Sequence, residues 1–383
     1  MPKPRQERTA AAVAAMPGAV YTPFDLSSHP GPLFPLHVGD TWMEPPAGAR
    51  MADLQEADFP GLHRYSETGG IAPLVDAALD KVRARNGLPV ERDELLITAG
   101  ATSGLACSVS ALCEPGEEVL ILAPFWPLIR GIVQSLRATP VEVPFFDRIA
   151  SPEEALAALE AKRSDRTVAV YFSNPSNPSG RVLPPDWIEA ISGWARRHDL
   201  WILSDEVYEE FVYAGEQLPT ARFAPERTVT SFSFSKSYGM AGNRVGYLVG
   251  PAAVIAEAHK VSVHSVYHAP TAGQVAALRA LEGGAEWLKA ARESYAAVGR
   301  EAAARLGLPT PEGSCFLFVD AAVRLDARGI EGFLADCFAD GVVVSPGASS
   351  GAAYGSFVRL CYTVLPPEAA LEGVARLARR LGR

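Results

Sequence analysis

No stretch of this chain approaches the roughly 20 consecutive apolar residues that a membrane-spanning helix needs. Cysteine is scarce. The five residues Cys107, Cys113, Cys315, Cys337 and Cys361 form no CxxC pair and no cluster with histidine, so no metal site is expected. Without a secretory signal, an odd count reads as free, mostly buried thiols in a reducing compartment. Cys113, ahead of Glu114-Pro115-Gly116, is the one candidate for a reactive thiol, and core packing is the better explanation of it. An excess of positive charge is also missing. The formal net charge of −9 argues against nucleic acid or an anionic membrane as partner. An anionic ligand would then need a local cationic site. Met1 to Arg8 is charged, and the Ala-rich run Thr9 to Met16 is short and lacks a cleavage-like context, so a cytoplasmic protein is expected. Internal repeats and long low-complexity tracts are absent, which sets solenoids aside.

What is present is an ordinary globular composition, 48% hydrophobic and 21% charged over 383 residues, enough for two packed domains. Pro17, Pro23, Pro30, Pro32 and Pro35 prevent the first forty residues from forming one helix and predict an extended arm crossing a surface. From about Leu95, short apolar runs alternate with amphipathic helices. Leu95–Thr98, Glu118–Leu122, Pro140–Val143, Thr167–Tyr171 and Leu200–Leu203 read as buried strands, with helices at Pro152–Arg163 and Pro185–His198. That alternation predicts an α/β domain with a largely parallel sheet. Beyond Gln274, Ala-, Glu- and Arg-rich helices run to about Leu306. Strands at Cys315–Val319 and Phe357–Cys361 and a closing helix from Pro367 predict a smaller α+β domain.

Chemistry concentrates in Ser231–Gly246, SFSFSKSYGMAGNRVG. Lys236 lies among small hydroxylated residues, with Ser233 and Ser235 before it and Arg244 eight positions on. A lysine in a confined site suits Schiff-base chemistry, and hydroxyls with an arginine fork suit a phosphate. A lone solvated lysine would be the simpler reading, but other motifs accompany it. Asn177-Pro178-Ser179-Gly180 and Ser204-Asp205-Glu206-Val207-Tyr208 both follow apolar strands, where ligands bind in open α/β sheets. Thr98-Ala99-Gly100-Ala101-Thr102-Ser103-Gly104 follows another strand and opens a helix whose amides could take a phosphate.

In this combination and order, from about Gly39 to Arg359, the chain resembles the class I/II aminotransferases of pyridoxal phosphate (PLP) fold type I. The resemblance implies a mostly parallel, seven-stranded-type sheet in a large domain at 39–275, a small α+β domain at 276–383, and an arm at 1–38. It implies that Lys236 carries PLP as a Schiff base and shuttles the substrate proton. Asp205 would pair with the protonated pyridine nitrogen, an acidic helix cap being the alternative. Tyr208 and Asn177 would bond the ring's 3′-oxygen. Ser233, Ser235, Arg244 and the amides of Ala101 and Thr102 would hold the phosphate. Trp126 would stack on the ring, with Phe125 its rival. Tyr65 would reach the phosphate of a neighbouring subunit, which makes the enzyme a homodimer with shared sites. Arg359 and Gly39 would meet the substrate's α-carboxylate, with Asn177 beside them.

Two positions depart from the family pattern. Arg130 stands where relatives often have tyrosine, as a solvated helix residue or an extra contact. His264, before Tyr267-His268-Ala269-Pro270, stands where dicarboxylate-specific relatives place a second arginine. His264 and His268 are pocket candidates or structural histidines. Tyr21, Phe24, Trp42 and Tyr267 would give an aromatic pocket if the arm folds over the site. The expected activity is amino transfer between an α-amino acid, neutral or aromatic, and a 2-oxo acid. A PLP-dependent lyase or synthase is the alternative. A ligand-sensing regulator, which would need a compact three-helix head within the first forty residues, is a distant third.

Overall fold

Strands covered by helices on both faces have no solvent side, so they read as unbroken apolar runs. The structure, a computed structural model, describes residues 9–18 and 22–383. Phe34–Pro35 forms β1. The main sheet follows with Leu95–Thr98 (β2), Glu118–Ala123 (β3), Thr139–Pro144 (β4), Thr167–Ser173 (β5), Trp201–Asp205 (β6), Thr228–Ser233 (β7) and Gly246–Val249 (β8). These seven strands pair in the order β2-β8-β7-β6-β5-β3-β4. β8 runs antiparallel to both of its neighbours. The other pairings are parallel.

Every strand marked in the sequence is present. β7 and β8 went unmarked because Thr228–Ser233 mixes hydroxyls with apolar residues and Gly246–Val249 is only four residues long. Thr228 Oγ1 donates to the Ala224 carbonyl at 2.7 Å, whereas the buried Thr230 and Ser231 hydroxyls find no partner of good geometry among the described residues. The helices at Pro152–Glu160 and Pro185–Arg197 begin with proline, whose missing N–H is no loss in a first turn. Ser151 caps the first of them by accepting the Glu154 amide.

β3 has β4 on one side and β5 on the other, so the sheet is built outward in two directions from this point. The loops leaving the carboxyl ends of β3 and β5 diverge and open a crevice. Beyond the helices Thr271–Gly283 and Ala285–Arg305 come Phe316–Asp320 (β9), Val342–Val343 (β10), Ser345–Pro346 (β11) and Phe357–Cys361 (β12). β11, β12 and β9 form an antiparallel three-stranded sheet. The proline-rich arm reaches it: β1 pairs parallel with β10, and the Cys361 amide donates to the Leu36 carbonyl at 2.7 Å. The described part of the first forty residues holds a four-residue helix, a three-residue turn of 3-10 helix and β1, with no three-helix head. Burial raises the Cys113 thiol to about 12, which fits core packing and not a reactive nucleophile. No helix among the described residues is long and apolar enough to cross a membrane.

Candidate active site

A cavity of about 230 Å³ lies at the crevice. On its floor is Asp205, the last residue of β6 and 3% exposed. No α-helix starts there, so Asp205 is not a helix cap. Its Oδ2 accepts the Tyr171 hydroxyl at 2.8 Å, while Oδ1 finds no partner of good geometry among the described residues. Burial raises this carboxyl to about 6, and the Tyr171 hydroxyl and the Val207 amide oppose the rise. A buried carboxylate with a spare oxygen is the natural partner of a cation in the cavity.

Beside it, Asn177 Nδ2 donates to the Tyr208 hydroxyl at 3.3 Å. Burial holds the Tyr208 hydroxyl in its protonated form, well above its ordinary range. Asn177 Oδ1 accepts from Arg359 Nη1 at 3.3 Å, and Arg359 Nη2 donates to the His37 carbonyl at 2.9 Å. Arg359 is 3% exposed and lies over the Phe316 ring at 4.7 Å, so it is no surface strand residue. Lys236 lines the cavity and donates to the Gly39 carbonyl. A side chain at position 39 would collide with Phe316, 2.5 Å from the Cβ.

At another wall the helix Ala101–Leu112 presents its first turn, with Ala101 and Thr102 on the cavity. Gly100 precedes it at φ 79°, and a Cβ there would collide with the Arg244 guanidinium. Ser233, Ser235 and Arg244 complete this wall. The Ser233 hydroxyl accepts the Ser235 amide at 3.0 Å, which fixes the short helix carrying Lys236. Amides at a helix start, hydroxyls and a guanidinium make an anion cradle. Trp126 lines the cavity, whereas Phe125 is 1% exposed in the core. Of these two aromatics, Trp126 is the one that lines the cavity.

Tyr65 stands apart, 83% exposed, edge-on to Tyr267 at 4.9 Å and to His268 at 5.6 Å. His264 is exposed near the end of the helix Ala252–Val266. His268 Nδ1 meets the Ala269 carbonyl at 2.6 Å. Neither histidine lines the cavity. Arg130 pairs with Glu142 at 3.2 Å, in a neighbouring depression with Met16 and Gly131. Among the described residues, the aromatics expected to form a pocket do not line the cavity. Phe24 stacks on Phe338 at 4.7 Å, and neither Trp42 nor Tyr267 lines the cavity. Tyr21 lies outside the described residues. β1 pairs with β10 and the Cys361 amide ties Leu36 to β12, while Met16 and Pro17 lie in the depression shared with Thr102 and Leu128. Sequence reasoning missed Phe316 on the cavity and Tyr171, whose hydroxyl donates to Asp205, because their placement depends on pairings distant in sequence; it also passed over Val38 and Leu128, which stand beside Gly39 and Trp126.

Residues 33–377 match the family model described as aminotransferase class I and II. The chain belongs to this family. It is an amino-group transferase on the fold type I framework of the PLP-dependent aminotransferases. It is 34% identical to an aspartate/prephenate aminotransferase of Thermus thermophilus over 84% of each chain. With an arginine–pyruvate transaminase of Pseudomonas aeruginosa it shares 33% identity, over 90% of this chain and 88% of that one. Among solved structures, the Thermus thermophilus aspartate aminotransferase with maleate aligns with a TM-score of 0.82 at 31% identity, over 91% of this chain and 92% of that chain.

Proposed function

We propose that the cavity binds pyridoxal 5′-phosphate, held covalently on Lys236, and that the enzyme uses it to exchange amino groups between an α-amino acid and a 2-oxo acid. The observation that carries this reading is the buried Asp205 carboxylate with a spare oxygen, opposite an anion cradle and beside Lys236. A protonated pyridine would satisfy that oxygen and a phosphate would fill the cradle. When bound, the cofactor supplies an aldehyde that takes up amino groups and an electron-poor ring.

Asp205 keeps the ring nitrogen protonated. Tyr208 and Asn177 would hold the ring's oxygen, and Trp126 would pack against the ring. Ala101, Thr102, Ser233, Ser235 and Arg244 fix the phosphate. The Lys236 amine would serve as the base that takes and returns the proton of the substrate Cα. Arg359 takes the substrate's α-carboxylate, with Gly39 and Asn177 beside it.

Tyr65, exposed in its own chain, reaches the phosphate of a second copy, so the working form is a homodimer. The large domain spans 39–275 and the small one 276–383, the division falling within the helix Thr271–Gly283. Free, mostly buried thiols fit a reducing compartment, the cytoplasm.

The side-chain pocket takes neutral or aromatic donors. Trp126, Phe316, Leu128 and Val38 give the cavity an apolar rim, and Arg130 is engaged with Glu142. The relatives' names, which include aspartate, prephenate and arginine, do not choose among donors.

Borohydride reduction of the coloured, PLP-loaded protein followed by peptide mapping tests the assignment. The cofactor should be found on Lys236. Recovery on another lysine would refute the site.

A further inference from the structure

Asp205 is the last residue of β6 and lies opposite Ser173 on β5. Two residues back on β5 is Tyr171, paired with Leu203. Alternation with period two puts Tyr171 and Ser173 on one face, so Tyr171 and Asp205 are diagonal neighbours. An aromatic side chain spans that distance. Tyr171 is fully buried and its hydroxyl donates to Asp205 Oδ2 at 2.8 Å. Burial and the neighbouring carboxylate hold that hydroxyl well above its ordinary range, so it is a permanent donor. It occupies one carboxylate oxygen and leaves Oδ1 as the one without a good partner among the described residues.

We infer that Tyr171 is a positioning residue that keeps Asp205 ionised and its Oδ1 aimed into the cavity. This rests on the reading of the cavity as a PLP site. A strand residue confined to core packing would need no hydroxyl, and a phenylalanine would pack there without a buried polar group to satisfy. The other charged or titratable groups on the same cavity are Tyr208, Lys236, Arg244 and Arg359. Glu206, next in the chain, turns to Ser204, Thr220 and Gln217 on the other side. Among these, Tyr171 is the side chain that donates to Asp205.

The sign of the effect follows. Burial favours the neutral carboxyl and the hydroxyl opposes it, so removing the hydroxyl makes Asp205 harder to ionise. In Tyr171→Phe, the pH below which the apoenzyme loses PLP affinity should move upward by about one unit or more, the worth of a hydrogen bond to a charged group. The ring-nitrogen resonance of ¹⁵N-labelled PLP, read in reconstituted enzyme, should move toward its unprotonated position. With 3-fluorotyrosine at 171, a stronger donor of nearly the same size, the affinity limb should move downward. This second variant keeps the test open if Tyr171→Phe folds poorly. In an Asp205→Asn background, Tyr171→Phe should add nothing, because the tyrosine acts through the carboxylate.

A limb and a resonance unchanged in Tyr171→Phe, with only the melting temperature lowered, would overturn the inference and leave Tyr171 as packing. Wild-type protein that forms no bond to PLP through Lys236 would overturn the reading of the site, and this inference with it. The two failures are distinguishable, since the first occurs in protein that binds PLP normally.

Discussion

Arg359 donates to Asn177 at 3.3 Å, and this contact joins a strand of the small sheet to the loop that leaves β5 of the large one. Asn177 in turn donates to Tyr208, so the proposed carboxylate site and the proposed site for the ring's oxygen share one side chain. Arg359→Lys keeps the charge but loses the planar fork that contacts both Asn177 and His37. The catalytic efficiency kcat/KM should fall by ~2–5 kcal/mol in transition-state stabilisation, the range for breaking a buried charged contact. PLP affinity should change little. Steady-state kinetics beside a PLP titration measures both, and an unchanged kcat/KM would remove Arg359 from substrate binding.

Asp205→Asn keeps the shape and removes the charge. Transamination should drop by about 10²-fold or more, comparable to the loss of a positioned acid–base group. The carboxyl of the free protein is raised to about 6, so its charge is present above that pH and lost below it. Wild-type apoenzyme should therefore lose PLP affinity on acidification through pH 6. Asp205→Asn should lack this component, leaving only what the cofactor's own phosphate contributes. Fluorescence titrations of both proteins between pH 5 and 8 give the comparison, and parallel curves would count against the assigned role.

Tyr65 and Tyr267 expose an aromatic patch, and the loop carrying Tyr65 leads directly into the helix Ala72–Arg85. Light scattering should give twice the 40.8 kDa chain mass. Tyr65→Phe should weaken PLP binding by about 10-fold, one hydrogen bond to a charged group. A fully active monomer would make Tyr65 an ordinary surface aromatic.

In a donor screen, neutral or aromatic amino acids should exceed aspartate and glutamate in kcat/KM. A side-chain carboxylate left unpaired in the cavity costs several kcal/mol, about what an uncompensated buried charge costs. Arg130 is the nearby cation that could change this, and Glu142, which also accepts the Ala352 amide at 2.7 Å, holds it in place. Aspartate as the best donor, with that preference lost in Arg130→Ala, would mean that the pair opens to receive substrate.

The large sheet was legible because most of its strands are continuous apolar runs, and the residues of the cavity because they stand at strand ends within short motifs. Lys236, Asp205, Asn177 and Arg244 each carry local context. Phe316 and Tyr171, which escaped, have none. Phe316 reaches the cavity because β9 pairs with β12, and Tyr171 matters only through its diagonal neighbour on β6. The same holds for Phe24 of the arm, whose ring stacks on Phe338, far along the chain, and not at the cavity.

The arm also has a bearing on how the protein comes to be made. His37 and Gly39 leave the ribosome early, yet the His37 carbonyl waits for Arg359, 322 residues later. β1 likewise waits for Val342 and Val343. Contacts this distant in sequence form late and slow the search for the native state. A nascent chain released before β12 would contain Lys236, Asp205 and the whole anion cradle, but not the guanidinium proposed to seize the substrate. Completion of synthesis is thus a condition for the proposed carboxylate site, and also for the core that β12 and the closing helix share with the large sheet.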